Sequence, residues 1–238
     1  AQSSADAERL RALGAPRVEV TGNLKFDVVL DEAQLAAGRE WRKKLGRPVL
    51  LLASTRDGEE RLLLDGAKRL DPAILVLVVP RHPQRFDEVA QLADSRRTQT
   101  KTPGGNDRIY LGDTMGEMAF YYGACDVAVI GGSFLPLGGQ NLIEALGAGA
   151  PVIVGPSMFN FAEATRLALA AGAAIQAGDA AMAIQEAAHL LADRERRVAM
   201  AEAGRKLCEA HRGATQKHLD VVGALLRDQK KGSGPFFT

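Results

Sequence analysis

Cysteine is scarce: Cys125 and Cys208 are the only two in 238 residues, and neither has a metal ligand at a usual spacing. This excludes a disulfide framework and a cysteine-built zinc site, and it fits a reducing compartment, the cytoplasm by default. Long apolar runs are missing too. No stretch of 18 or more apolar residues occurs, so no segment reads as membrane-spanning. The opening AQSSADAERLRALG has neither the apolar centre of a secretory signal nor an Arg-rich amphipathic transit pattern. Excess charge is also absent, with 30 Lys and Arg against 29 Asp and Glu and a formal net charge of +1. Non-specific nucleic-acid binding through a broad basic field is thereby excluded, and any charged ligand must be recognised locally. The chain starts without Met on a polar, helix-like stretch, and a further domain preceding it is expected.

What is present is an ordinary globular composition, 46% hydrophobic and 25% charged, organised as a repeated pattern. Short apolar runs, polar or Gly-rich turns and helix-period segments alternate, as in parallel βαβ units. The expected strands are 18–21, 49–53, 73–79, 108–111, 126–130, 152–154 and 173–175, and the expected helices between them are 32–45, 59–70, 84–93, 115–122, 142–148 and 161–171. Beyond residue 179 the strands stop and three helical stretches follow. Runs such as AILVLVV are apolar on both faces, which suits central parallel strands covered on both sides. The fold class is α/β, a doubly wound, mostly parallel Rossmann-like sheet. The expected division is a remnant of a preceding half over 1–17, a ligand-binding α/β domain over 18–229 and a flexible tail over 230–238.

In such sheets ligands bind outside the carboxyl ends of the strands, so the turns after each run are informative. After 49–53 come Ser54, Thr55 and Arg56 at a helix start. An anion at that N-terminus is one reading; Asp57 capping the helix with Glu60 as capping-box partner is the other. After 73–79 comes Pro80-Arg81-His82-Pro83, a stiff cationic turn whose prolines hold Arg81 for an anion, while His82 suits a structural hydrogen bond. After 108–111, Thr114 and Glu117 form a capping box around Met115 and Gly116, with Gly116 inside the first helical turn, where a base or sugar could lie against it. After 126–130, Gly131-Gly132 and Gly138-Gly139 frame a loop into a helix, the second pair leaving the helix N-terminus open to phosphate. Asn141 reads as the N-cap, and Glu144 either closes a capping box or accepts from a ribose diol.

Other Gly-rich sites do not fit. Neither G-x-x-x-x-G-K-[ST] nor G-x-G-x-x-G after the first strand occurs, and no Asp-x-Asp pair offers a metal clamp, so a metal-free site with no cofactor is expected. His189, His211 and His218 read as surface or packing residues, and Cys125 as core.

Taken together the turns resemble one family, the bacterial 3-deoxy-D-manno-octulosonic acid (Kdo) transferases of lipid A assembly, two-domain GT-B glycosyltransferases. The matching segments are GNLKFD (22–27), STRDGEE (54–60), PRHPQRF (80–86), GDTMGEM (112–118), GGSFLPLGGQN (131–141) with Glu144, and GPSMFNF (155–161). The resemblance implies a C-terminal domain that holds CMP-Kdo, with the acceptor site, a membrane-associating segment and the catalytic base in an N-terminal half outside this chain. It implies a metal-independent, inverting transfer to a lipid A precursor at the cytoplasmic face of the inner membrane, and a chain inactive alone. Carried over by residue, Arg81 takes phosphate or sugar carboxylate, Met115, Gly116 and Glu117 line the cytidine pocket, and Asn141 and Glu144 engage phosphate and ribose. Arg56 and Lys25 are further cations, and Lys25, in the segment linking the halves, could reach into the cleft. Arg56 and Gln140 stand where the family commonly has His, and Gln140 cannot titrate near neutral pH. A UDP-sugar transferase or 2-epimerase of the same architecture, or a free-standing nucleotide-binding module, are the alternatives.

Overall fold

The computed structural model describes residues 1–232, the side chains of 228–232 excepted. They form two compact units: Ala1–Val29 with the chain from Cys208 onward, and Leu30–Leu207. In chain order, α1 (Ser4–Ala12) opens the first unit, and the second begins with α2 (Glu32–Leu45), β1 (Val49–Thr55), α3 (Glu59–Ala67), β2 (Leu75–Pro80) and α4 (Phe86–Ala90). It continues with β3 (Ser95–Arg96), β4 (Ile109–Leu111), α5 (Met118–Gly123), β5 (Val127–Ile130), α6 (Ile143–Ala148) and β6 (Val152–Val154). Then come α7 (Ala162–Ala170), β7 (Ala174–Gln176), α8 (Ala180–Ala192) and α9 (Arg194–Ala210), while α10 (Ala214–Gly232) belongs to the first unit.

The seven strands make one sheet in the order β3-β4-β2-β1-β5-β6-β7, parallel throughout. β1, β2 and β5 carry almost unbroken apolar sequence because helices cover both faces. On one face Leu50, Leu52, Val76, Val78, Val127 and Val129 bury against Leu63 and Leu64 of α3 and Ile184, Ala187 and Leu190 of α8. Helix α8 starts where Asp179 accepts from the Met182 N–H at 2.7 Å, a side-chain cap on its first turn. On the other face α2 packs on α5.

Four expectations change. Residues 18–21 form no strand and lie in the first unit, where Thr21 N–H donates to Ala1 C=O and Thr21 Oγ1 meets His218 Nε2, both at 3.0 Å. The edge strand β3 is added, two residues in a polar stretch. The helix expected over 84–93 is a 3-10 turn over Pro83–Arg85 and the short α4, after which Gln91, Leu92 and Ala93 close with tighter bonds to residues three before them. Finally, α10 continues through 230–232, the start of the expected tail; residues 233–238 lie outside the described residues.

Candidate functional site

Because all strands run one way, the turns after β1, β2, β4 and β5 meet at one edge of the sheet. From β1 the chain steps outward to β2, then returns to place β5 on the opposite side of β1. The carboxyl ends of β1 and β5 therefore flank the point where the winding reverses, the usual position of a ligand crevice. Ser54, at the end of β1, has φ +55, a left-handed conformation that costs roughly 1–3 kcal/mol for a residue with a side chain and collects at functional sites. The turns are tied to one another: Arg81 N–H donates to Thr55 C=O at 2.9 Å, Gly131 N–H to Ala53 C=O at 2.8 Å and Gly112 N–H to Val78 C=O at 2.8 Å.

The turn before α3 is tied to the turn after β5. Glu59, fully buried, accepts from the backbone N–H of Arg56 at 2.9 Å, Gly132 at 2.5 Å and Phe134 at 2.9 Å, so its carboxylate joins the β1 and β5 turns. Thr55, also fully enclosed, donates its hydroxyl to Glu60 at 3.0 Å, and Arg85 donates to the other Glu60 oxygen at 3.2 Å. Burial raises the Glu60 carboxyl above its ordinary pKa, against the pull of Thr55 and Arg85. At the turn where an anion is expected at Ser54, Thr55 and Arg56, the Thr55 hydroxyl and the Arg56 N–H are thus engaged by the protein, while no side chain caps the first turn of α3. The alternative capping box changes partners as well: Gly58 is the N-cap, and Asp57 pairs with Arg85 at 2.7 Å.

The turn at 112–117 is built from behind. Glu117 accepts two bonds from Arg97, at 2.7 and 2.9 Å, and one from the Thr114 hydroxyl. Arg97 is 8% exposed and lies 3.9 Å over the Phe120 ring. This guanidinium draws the Glu117 carboxyl down to about 2, partial burial working against it. Asp113 is held the same way, by Arg96 at 2.6 Å and Thr98 N–H at 2.9 Å. Gly116 has φ +77 and precedes α5 rather than lying in its first turn, and its C=O accepts from Gln34 Nε2 at 3.0 Å. With the helix starting at Met118, Thr114 caps nothing; it bonds Glu117 side chain to side chain. Met115, 61% exposed, and Gly116 form the outer surface of the turn.

In the loop from β5 to α6, Gly138 N–H donates to Ser157 Oγ at 3.1 Å and Gly139 N–H to Gly132 C=O at 2.7 Å, and both glycines precede the start of α6. Their glycine identity answers a packing need: φ is +85 and +79, and a Cβ would fall 2.2 Å from Asn160 Nδ2 at Gly138 and 2.3 Å from Met158 Sδ at Gly139. The next three backbone N–H groups, of Gln140, Asn141 and Leu142, have no partner among the described residues; Gln140 and Asn141 are half-buried, whereas Leu142 is fully enclosed. Asn141 Oδ1 accepts from Ile143 N–H at 3.1 Å while its Nδ2 donates to Glu144 Oε1 at 2.8 Å. Asn141 thus does a cap's work one position ahead of the N-cap residue, Leu142, and Glu144 is held by Asn141 rather than reaching back to the backbone.

Arg81 and His82 stand exposed after β2, and no hydrogen bond or ion pair engages the Arg81 guanidinium among the described residues. Arg81 and Glu144, on opposite sides of β1, both exert their charge on one phenol, that of Tyr122 in α5. The parallel order of the strands places Arg81 after β2, the Met115–Gly116 turn after β4, and the N–H groups of Gln140 and Asn141 with Glu144 after β5, all beyond the carboxyl edge of the sheet. Lys25 lies in the first unit, exposed on a 3-10 turn over Leu24–Asp27. Two residues that fix these turns carry no sequence signal: Glu59 stands beside Glu60 at a helix start with nothing to set it apart, and Arg97 follows no apolar run. Among the described residues no group of three or more His, Cys, Asp or Glu is placed to hold a metal ion, and no helix is long and apolar enough to cross a membrane.

A seven-stranded parallel sheet between helices, with its open polar groups at the winding reversal, is the Rossmann-like GT-B architecture of glycosyltransferases. Residues 88–207 match Glycosyl transferases group 1, and the chain belongs to that family. Within it, the chain is 52% identical over 235 residues to a 3-deoxy-D-manno-octulosonic acid transferase of Bordetella pertussis, covering 93% of this chain and 55% of that one. It is 35% identical to the enzyme of the same name from Haemophilus influenzae, again over 93% of this chain and 55% of the other. The chain thus spans about half the length of these relatives. Among solved structures it matches the C-terminal CMP-Kdo binding domain of WaaA from Acinetobacter baumannii with a TM-score of 0.70 and 29% identity, over 74% of this chain and 98% of that one. The resemblance read from the six motifs stands.

Proposed function

We propose that this chain is the sugar-donor-binding half of a Kdo transferase and that it binds CMP-Kdo. The observation that carries the reading is the set of polar groups left open beyond the strand ends at the reversal point: the Arg81 guanidinium, the successive N–H groups of Gln140 and Asn141, and the carboxylate of Glu144, with one oxygen bonded to Asn141. Arg81 and the N–H groups suit a phosphate, since a fixed guanidinium and unpaired amides at a helix start both favour negative charge. The second oxygen of Glu144 accepts from ribose hydroxyls. Met115 and Gly116 offer an apolar, unobstructed surface to the base, and the buried Arg97–Glu117 pair holds that surface from the inside. His82 and Gln140 line the approach, and Gly138 and Gly139 set the loop's course.

As the bond between Kdo and CMP breaks, negative charge grows on the departing nucleotide's phosphate, which Arg81 and the amides would stabilise; preorganised stabilisation of this kind is worth several kcal/mol in related chemistry. The reaction is a single inverting displacement without a metal. The base that activates the acceptor, a lipid A precursor, and the membrane-associating segment belong to the part of the relatives' length that this chain does not span, so the chain alone binds the sugar donor without turning it over. The full-length enzyme works at the cytoplasmic face of the inner membrane. The names of the relatives and the CMP-Kdo ligand of the Acinetobacter domain support this choice of nucleotide over a uridine one. Isothermal titration tests it: the chain releases heat with CMP and none with UMP or UDP, and the reverse preference contradicts the reading.

A further inference from the structure

Gln34 lies in the first turn of α2, where its backbone N–H donates to Asp31 at 3.0 Å and its side chain reaches across to the turn after β4. Its Nε2 donates to the Gly116 C=O at 3.0 Å. A carbonyl can only accept, so this bond fixes which end of the amide faces Gly116 and leaves Oε1 as the other end. Oε1 is closed to solvent and accepts from nothing among the described residues. An acceptor buried without a donor costs roughly 1–3 kcal/mol and calls for a reason.

The surface that Oε1 adjoins supplies one. Both ends of an amide sit on one carbon, so Oε1 lies within an amide's width of the bond to Gly116, and the Met115–Gly116 turn is the surface read above as the seat of the base. That turn has room to shift and admit a ring to Oε1: a Cβ at Gly116 would meet nothing within 4 Å, and Met115, 61% exposed, has an unbranched, adaptable side chain. Cytosine carries an exocyclic amine, a donor, where uracil carries a carbonyl, an acceptor. We infer that Gln34 Oε1 accepts a hydrogen bond from the cytosine amine and so makes the site select cytidine over uridine nucleotides. Uracil would set its carbonyl against Oε1, two acceptors enclosed together, and unpaired polar groups of this kind discriminate far more strongly than a change of shape. The amide cannot turn over to suit uracil, because Oε1 would then face the Gly116 C=O. The inference rests on the reading of the crevice as a nucleotide site and names the residue that chooses the base.

The test is isothermal titration of the 238-residue chain, wild type against Gln34→Leu, with CMP and with the same nucleotide lacking the amine, 2-pyrimidinone riboside monophosphate. The expected result is that wild type binds CMP about tenfold tighter than the analogue, as for a lost hydrogen bond that leaves a buried acceptor unpaired. In Gln34→Leu that gap closes, whatever the variant costs both nucleotides through the lost bond to Gly116. A gap that persists in the variant overturns the inference and leaves Gln34 a support of the turn. Wild type alone also decides: equal affinity for the two nucleotides overturns the inference whether or not the variant folds. A wild-type chain that binds neither nucleotide refutes the nucleotide reading itself; one that binds CMP and fails either comparison refutes this inference alone.

Discussion

Two sets of polar groups share one edge of the sheet and differ in a single respect. Glu59, Glu60, Asp113 and Glu117 are each saturated by internal partners: backbone amides, Thr55 and Arg85, Arg96 and Thr98, Arg97 and Thr114. The Arg81 guanidinium and the amides of Gln140 and Asn141 have no such partners among the described residues. The first set is a frame that fixes the turns, and the second is the face that the frame holds open. The difference shows that charge at the end of a strand does not identify a ligand contact. What does is charge or hydrogen-bonding capacity that the fold leaves unspent.

The comparison can be broken at its largest expected effect by removing Glu59. Its carboxylate serves three backbone N–H groups in a fully buried position, and Glu59→Ala leaves all three without their acceptor. The expected loss is about 3 kcal/mol or more of stability, or roughly 6–12 °C in melting temperature for a chain of this size. A melt within a degree of wild type contradicts the assignment of Glu59 to the frame. Arg81 supplies the opposite and somewhat smaller effect. Arg81→Ala weakens CMP binding by about 1.5–3 kcal/mol, as for a charge-assisted hydrogen bond, and leaves the melting temperature in place. Calorimetry with CMP and a thermal scan on the same sample check both halves, and a destabilised variant with unaltered affinity would move Arg81 into the frame.

Much of this was legible from residue order. β1, β2 and β5 show because burial on both faces demands uninterrupted apolar sequence, and Arg81 shows because Pro80 and Pro83 fix its turn. The glycines of the β5–α6 loop were legible as positions, but not for their reason: Gly138 and Gly139 answer to Asn160 and Met158, some 20 residues away in sequence, rather than to phosphate. Residues 18–21 alternate like a strand, yet period alone does not name a pairing partner, and Thr21 bonds to Ala1 and His218. Arg97 stayed hidden because it follows a two-residue edge strand with no apolar run to announce it.

The central claim is that the unspent groups form one nucleotide site. The most direct measurement is a ¹H–¹⁵N NMR titration of the chain with CMP. The account predicts that the largest shifts fall on the backbone amides of Gln140, Asn141 and Leu142 and on residues 81–82 and 115–116, while the amides bonded to Glu59 stay still. Shifts concentrated instead in the groove between Met158, Thr165 and Gln176, with 140–142 unmoved, would contradict it.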